Sequence, residues 1–263
     1  MQGVGEKDLR NQRMHCSATN FRSPKEPAMT RNEPTARKST EIDPTRSDLD
    51  NFLADMMATK KSDVAGTGRL IFALDATMSR QETWDAACSM QGDMFRTVAS
   101  IGGLNVQLVY YRGLDECRAS RWVTDPEQLA KLMTKISCHA GHTQIGKVLT
   151  HAKRETGLLK VAAVVFVGDA FEEDADEVVP LAQELGQLNV PVFMFQEGHS
   201  STVEHVYREI VNASGGAYCR FDSGSADKLR ELLKLVAVFA VGGKAALEAS
   251  KSADAVKLLS QLK

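Results

Sequence analysis

Three short segments of this chain carry oxygen atoms of the kind that hold a small, hard cation. Asp75 closes an apolar run, Arg69-Leu70-Ile71-Phe72-Ala73-Leu74, and the hydroxyls of Thr77 and Ser79 follow at alternate positions. Mg²⁺ and Ca²⁺ take oxygen ligands, and Mg²⁺ is usually held through only one or two carboxylates. A second apolar run, Val161-Ala162-Ala163-Val164-Val165-Phe166-Val167, also ends in a turn and an acid, Gly168-Asp169. Between the two, Gly141-His142-Thr143 offers a third hydroxyl just ahead of a helical pattern. Two strand-end carboxylates and three neutral oxygens suit a divalent-cation site if one fold gathers them at one point.

The elements that must do the gathering can be read from periodicity. Strand-like runs at 69–74, 106–111, 161–167, 191–195 and 217–221 alternate with helical patterns at 82–100, 126–136, 144–156, 176–188, 203–212 and 226–241. This alternation predicts an α/β fold: a doubly wound, mostly parallel sheet with helices on both faces. One segment breaks the rhythm. Residues 117–123 follow Tyr111 after the short stretch Arg112-Gly113-Leu114-Asp115-Glu116, which leaves no room for a crossover helix, so they should form an antiparallel edge strand. Right-handed crossovers and a sheet that winds both ways from its first strand place a crevice at that strand's carboxyl end. Asp75, Asp169 and Thr143 all fall on that rim.

With that pattern in place, the chain resembles the von Willebrand factor type A family, whose fold is Rossmann-like. In that family a D-x-S-x-S loop, a distant Thr and a later Asp form a metal-ion-dependent adhesion site (MIDAS). By position, Asp75, Thr77 and Ser79 match the first loop, Thr143 the second and Asp169 the third. Thr77 departs from the pattern by a methyl group, and Gly168-Asp169-Ala170 departs from the Asp-Gly pair of many relatives. The resemblance covers residues 66–241 and is closest in style to stand-alone intracellular bacterial members. It implies a binding module, not an enzyme: Mg²⁺ (or Mn²⁺ or Ca²⁺) at the site would accept a carboxylate from a partner protein. It also implies an adaptor role in a larger assembly, since many bacterial relatives act with AAA+ ATPases. The competing reading is a Mg²⁺-dependent phosphatase or phosphotransferase using Asp75. Against it, enzymes with an Asp nucleophile usually carry a second Asp two positions on, where this chain has Thr77.

Composition sets the remaining bounds. The chain has 263 residues, 43% apolar and 25% charged, enough for a well-filled core. A net charge of −2 gives no electrostatic reason to expect nucleic acid or an anionic membrane as partner. Residues 1–47 are polar and interrupted by Pro24, Pro27, Pro34 and Pro44, which predicts a disordered tail. Leu49, Phe52, Leu53, Met56 and Met57 predict a short amphipathic helix within 48–65. Gly242-Gly243 should end the last core helix, leaving an amphipathic terminal helix within 242–263 that folds back or meets another subunit. The stretch Met1-Gln2-Gly3-Val4-Gly5-Glu6-Lys7-Asp8 lacks the apolar run of a secretory signal, and the longest apolar segment, 229–241, is expected to be too short and too charged for a bilayer span. Five cysteines at irregular spacing do not form a disulfide framework, so a reducing cytoplasm is expected.

Other local signals weigh less. Gly141-x-x-x-x-Gly146-Lys147 resembles a phosphate-binding loop, but Val148 replaces the required Ser or Thr and no strand precedes it. Cys138, His139, His142 and His151 lack the paired spacing of a zinc site. The acidic run Phe171-Glu172-Glu173-Asp174-Ala175-Asp176-Glu177 reads as favourable charge at a helix N-terminus plus solvation; a second cation site there would lack the Gly and carbonyl spacing of a calcium loop. Arg80, Arg112, Arg118 and Arg121 flank the rim as solvated charges, with steering of an anionic ligand as the lesser reading. Trp84, Trp122, Cys88, Cys117 and Cys219 read as packing residues.

Overall fold

The computed structural model describes residues 68–80, 104–222 and 226–263. The expected tail at 1–47, the helix within 48–65 and the helix at 82–100 with Trp84 and Cys88 lie outside the described residues. Strands β1 (Gly68–Asp75), β2 (Leu104–Arg112), β3 (Glu116–Ala119), β4 (Ala163–Gly168), β5 (Val192–Glu197) and β6 (Tyr218–Phe221) form one sheet in the order β3-β2-β1-β4-β5-β6. All neighbours are parallel except β2 and β3. The doubly wound sheet with one antiparallel edge is the one expected.

The unbroken apolar runs of β1, β4 and β5 arise because a parallel sheet covered on both faces has no polar side. Leu70, Phe72 and Leu74 of β1 enter one core, while Ile71 and Ala73 enter the other, as period-two alternation requires. The first core is closed by α1 (Pro126–Met133), α5 (Ala226–Ala249) and α6 (Ala253–Leu259). The second is closed by α2 (Ile145–Leu158), α3 (Ala175–Gln187) and α4 (Ser201–Ser214).

Several boundaries differ from expectation for local reasons. The edge strand stops at Ala119 because Ser120 turns its hydroxyl onto the β2 backbone, accepting from the Leu108 amide at 3.0 Å. Pairing resumes only as a single bridge, Val106 to Val123. Helix α1 ends at Met133, short of Ile136. In α5 the interruption falls at Gly243, whose φ of 66° is a conformation that L side chains rarely adopt. The single terminal helix expected there is two pieces. Lys251 takes a positive φ of 49°, and Ser252 caps α6 by accepting from the Ala255 amide at 3.1 Å.

That terminal segment folds back on its own domain. Leu247, Ala255 and Leu258 are buried in the same core as β1. Beyond α6, the Gln261 amide meets the outermost strand: Oε1 accepts from the Tyr218 amide at 2.9 Å, and Nε2 donates to the Tyr218 carbonyl at 3.2 Å. Among the described residues no helix is long and apolar enough to cross a membrane. Gln261→Ala removes both edge contacts and should cost about 1–2 kcal/mol, at about 0.5–1.5 kcal/mol net per hydrogen bond. The urea midpoint should fall while the slope stays the same.

Candidate metal centre

The first loop is built by its own carboxylate. Asp75 is 0% exposed, and its Oδ1 accepts from the Thr77 amide at 2.8 Å, a side-chain turn that reverses the chain. The turn places Thr77 Oγ1 3.1 Å from Ser79 Oγ. Thr77 is 6% exposed and Ser79 is exposed, so the loop grades from a buried charge to an outward hydroxyl. Thr77 makes a parallel bridge with His139, an extended conformation that β-branched residues favour. The backbone then ties the loop to both neighbours. The Ala76 amide donates to the Tyr111 carbonyl, and the His139 amide donates to the Ala76 carbonyl, each at 3.0 Å.

The second loop is pinned to the β2–β3 hairpin. The His142 amide donates to the Gly113 carbonyl at 3.2 Å, and Gln144 Nε2 reaches the same oxygen at 3.3 Å. Gly141 permits this approach, since a Cβ there would stand 2.0 Å from the Gly113 oxygen. Thr143, 4% exposed, is locked to the third loop in both directions. Its Oγ1 accepts from the Glu172 amide at 2.9 Å, and its amide donates to Glu172 Oε2 at 3.2 Å.

Glu173 completes the lock. Its carboxylate accepts from the Ile145 and Gly146 amides at 2.5 and 2.9 Å, closing the start of α2, where Gln144 makes no side-chain cap. Within the acidic run, Asp174 caps α3, accepting from the Asp176 amide at 2.9 Å, and Asp176 and Glu177 lie in that helix's first turn, the charge at a helix N-terminus that was expected. Glu172 and Glu173 instead serve a distant loop. The phosphate-loop alternative fails on the same contacts, because a carboxylate already fills the amides an anion would use. Lys147 pairs with Asp115 and donates to Gln144 Oε1 at 2.9 Å.

Asp169 stands at the end of β4. Leu74 pairs with Val167 in register, so Asp75 is level with Gly168 and Asp169 lies one step beyond. Asp169 Oδ1 is buried and makes no hydrogen bond. On the other flank, Tyr111 is level with Asp75. Burial first, and then the Asp75 charge, push the Tyr111 phenol well above its ordinary pKa. Asp75, Thr77 and Ser79 thus share one turn. Thr143 and Asp169 sit on loops bonded in series to it at the same rim of the sheet. An oxygen-only donor set with one buried, unbonded carboxylate oxygen fits a hard divalent cation. Thr143 Oγ1 keeps a lone pair after accepting the Glu172 amide.

Neither protein-family profiles nor curated protein sequences match the chain. Solved structures do. The VWA domain of SpRpn10 superposes with a TM-score of 0.50 at 12% identity, over 65% of this chain and 95% of that one. A von Willebrand factor type A protein from Catenulispora acidiphila gives 0.54 at 15% identity, over 68% and 43%. An aerotolerance-related membrane protein from Bacteroides fragilis gives 0.50 at 17%, over 63% and 96%. The fold is that of a von Willebrand factor type A (VWA) domain. At these identities the likeness is one of fold, and the chain spans less than half of the C. acidiphila protein.

Around the VWA rim, the arginines are engaged. Arg112 is 4% exposed, pairs with Glu116 at 3.0 Å and donates to the Ser137 carbonyl at 3.0 Å, bracing the hairpin against the stretch that leads into the second loop. It is not a solvated charge. Arg118 pairs with Glu116 at 2.8 Å and Arg121 with Gln128 at 2.9 Å, while the Arg80 side chain lies outside the description. Among the described residues, no group of three His, Cys, Asp or Glu side chains is placed to hold a metal. His151 is held by Gln107 Oε1 at 2.8 Å. Trp122 packs under Arg69, 3.8 Å from the guanidinium, and donates to Glu155 at 2.7 Å.

Burial pushes the Cys117 and Cys219 thiols up to about 11. Peptide mass mapping after iodoacetamide treatment at pH 8 should therefore find both unmodified in the folded protein and labelled after denaturation. Gly141→Ala forces the second loop off the hairpin and should cost about 1–3 kcal/mol. Thermal melting would measure that loss.

Proposed function

We propose that this VWA domain is a protein-interaction module that binds an acidic side chain of a partner protein through a divalent cation. Asp75, Thr77, Ser79, Thr143 and Asp169 would hold the ion, Mg²⁺ first, with Mn²⁺ or Ca²⁺ as alternatives. The observation that carries this MIDAS reading is the buried Asp169 Oδ1 without a hydrogen bond, on the rim that also bears the three hydroxyls. A buried, unsatisfied oxygen costs about 1–3 kcal/mol, more when charged, and a cation offsets that cost. When bound, the ion supplies an electrophilic position that a foreign carboxylate can fill.

The chain's own groups set up that chemistry. Two carboxylates balance a doubly charged ion, and neutral hydroxyls complete the donor set without adding negative charge, so an incoming anion is not repelled. Ser79, the exposed member, faces the approach side, and Asp75 lends charge from behind. That enclosure favours binding over the phosphatase or phosphotransferase alternative, because a nucleophile must reach its substrate and Asp75 is 0% exposed. The proposal extends to a cytoplasmic adaptor of bacterial type acting with an AAA+ ATPase; here the support is the sequence resemblance alone.

Calorimetry should show Mg²⁺ or Mn²⁺ binding to the wild-type chain, abolished in Asp75→Ala and weakened in Asp169→Ala. Metal at about a hundred times its Kd should add about 2.7 kcal/mol of stability, visible as a higher Tm. Equal affinity in the wild type and Asp75→Ala would overturn the site. Partner proteins retained from lysate should be released by EDTA.

A further inference from the structure

Helix α4 lies in the outer layer, yet one of its side chains reaches the third loop. The buried Tyr207 phenol donates to the Ala170 carbonyl at 2.9 Å. Its ring stands edge-on to Phe166, with centroids 5.8 Å apart, and Phe166 stacks on Tyr111 at 6.0 Å and 13°. An aromatic row therefore runs from the strand beside Asp75 to the peptide that follows Asp169. Gly168 gives the row its space: a Cβ there would stand 2.7 Å from the Phe166 ring and 3.0 Å from the Tyr207 oxygen.

Asp169 is thus held from both sides. Before it, Gly168 is paired with Gln196 in the sheet, and after it, Ala170 is held by Tyr207. A carboxylate with a buried, unbonded oxygen gains by reaching water, and fixed peptides on both sides limit the directions its side chain can take. We propose, resting on the metal-binding reading above, that Tyr207 is a positioning residue that keeps Asp169 turned into the rim. The residue does not touch the ion; it removes the freedom that metal binding would otherwise have to freeze out. Groups behind the direct ligands contribute strongly to affinity by this route.

Mn²⁺ titration of the full chain, followed by the electron paramagnetic resonance of the free ion, tests this with two variants. Tyr207→Phe removes the one hydroxyl and keeps the ring. Tyr218→Phe is the control, because it removes another buried phenol contact, the 2.8 Å bond to Gln196 Oε1. Both variants should lower Tm by a similar amount, about 2–4 °C for a domain of this size. Only Tyr207→Phe should weaken Mn²⁺ binding, by about tenfold. Equal affinity in the wild type and Tyr207→Phe, or equal loss in both variants, overturns the positioning role and leaves the metal site standing. A wild-type chain that does not bind Mn²⁺ overturns both.

Discussion

Two adjacent glutamates decide whether the rim of this sheet is one surface or several. Glu172 and Glu173 leave the third loop and bond to Thr143 and to the first amides of α2. The start of a helix presents backbone donors that need partners, and here a carboxylate from another loop supplies them. Without that bond, the second loop would be held by the hairpin and the first loop but would have no direct tie to the third loop, which carries Asp169. The two loops instead form a closed hydrogen-bonded unit, joined to the first loop through His139 and Ala76. The placement of Thr143 relative to Asp169 depends on that unit.

Much of the architecture was legible in the sequence because it rests on local rules. Unbroken apolar runs marked the buried strands, and the short 112–116 stretch left an antiparallel edge as its only outcome. Residue types also marked the five candidate ligands before any geometry was known. What stayed hidden depends on separation in the chain. Thr143 and Glu172 are 29 residues apart, so no local spacing could pair them. Arg112 reads as a solvated rim charge until the fold puts Ser137 beside it. The aromatic row behind the rim draws its members from β2, β4 and α4, and each taken singly is an ordinary core residue.

The site also illustrates how burial and charge are divided. Asp75 is fully enclosed and bonded to its own turn, Asp169 is half-buried and Ser79 lies open, so exposure rises from the first carboxylate to the hydroxyl. Under the proposed metal-binding reading, such a gradient suits a surface that would hold a cation and leave room for an anion from outside. A carboxylate at the mouth would repel that anion; hydroxyls at the mouth do not. Thr77 fits this scheme, since its backbone bridges to His139 while its oxygen stays beside Ser79.

Gln261 has a consequence for how the molecule can assemble. An outermost strand with open backbone groups is a template for strands from other chains, and proteins commonly cover or blunt it. Here a side-chain amide imitates the missing neighbour at Tyr218, presenting one acceptor and one donor in the order a strand would. Recruitment of a foreign peptide by sheet extension is therefore closed at that point of the flank, which leaves association to proceed by surface complementarity instead of backbone pairing.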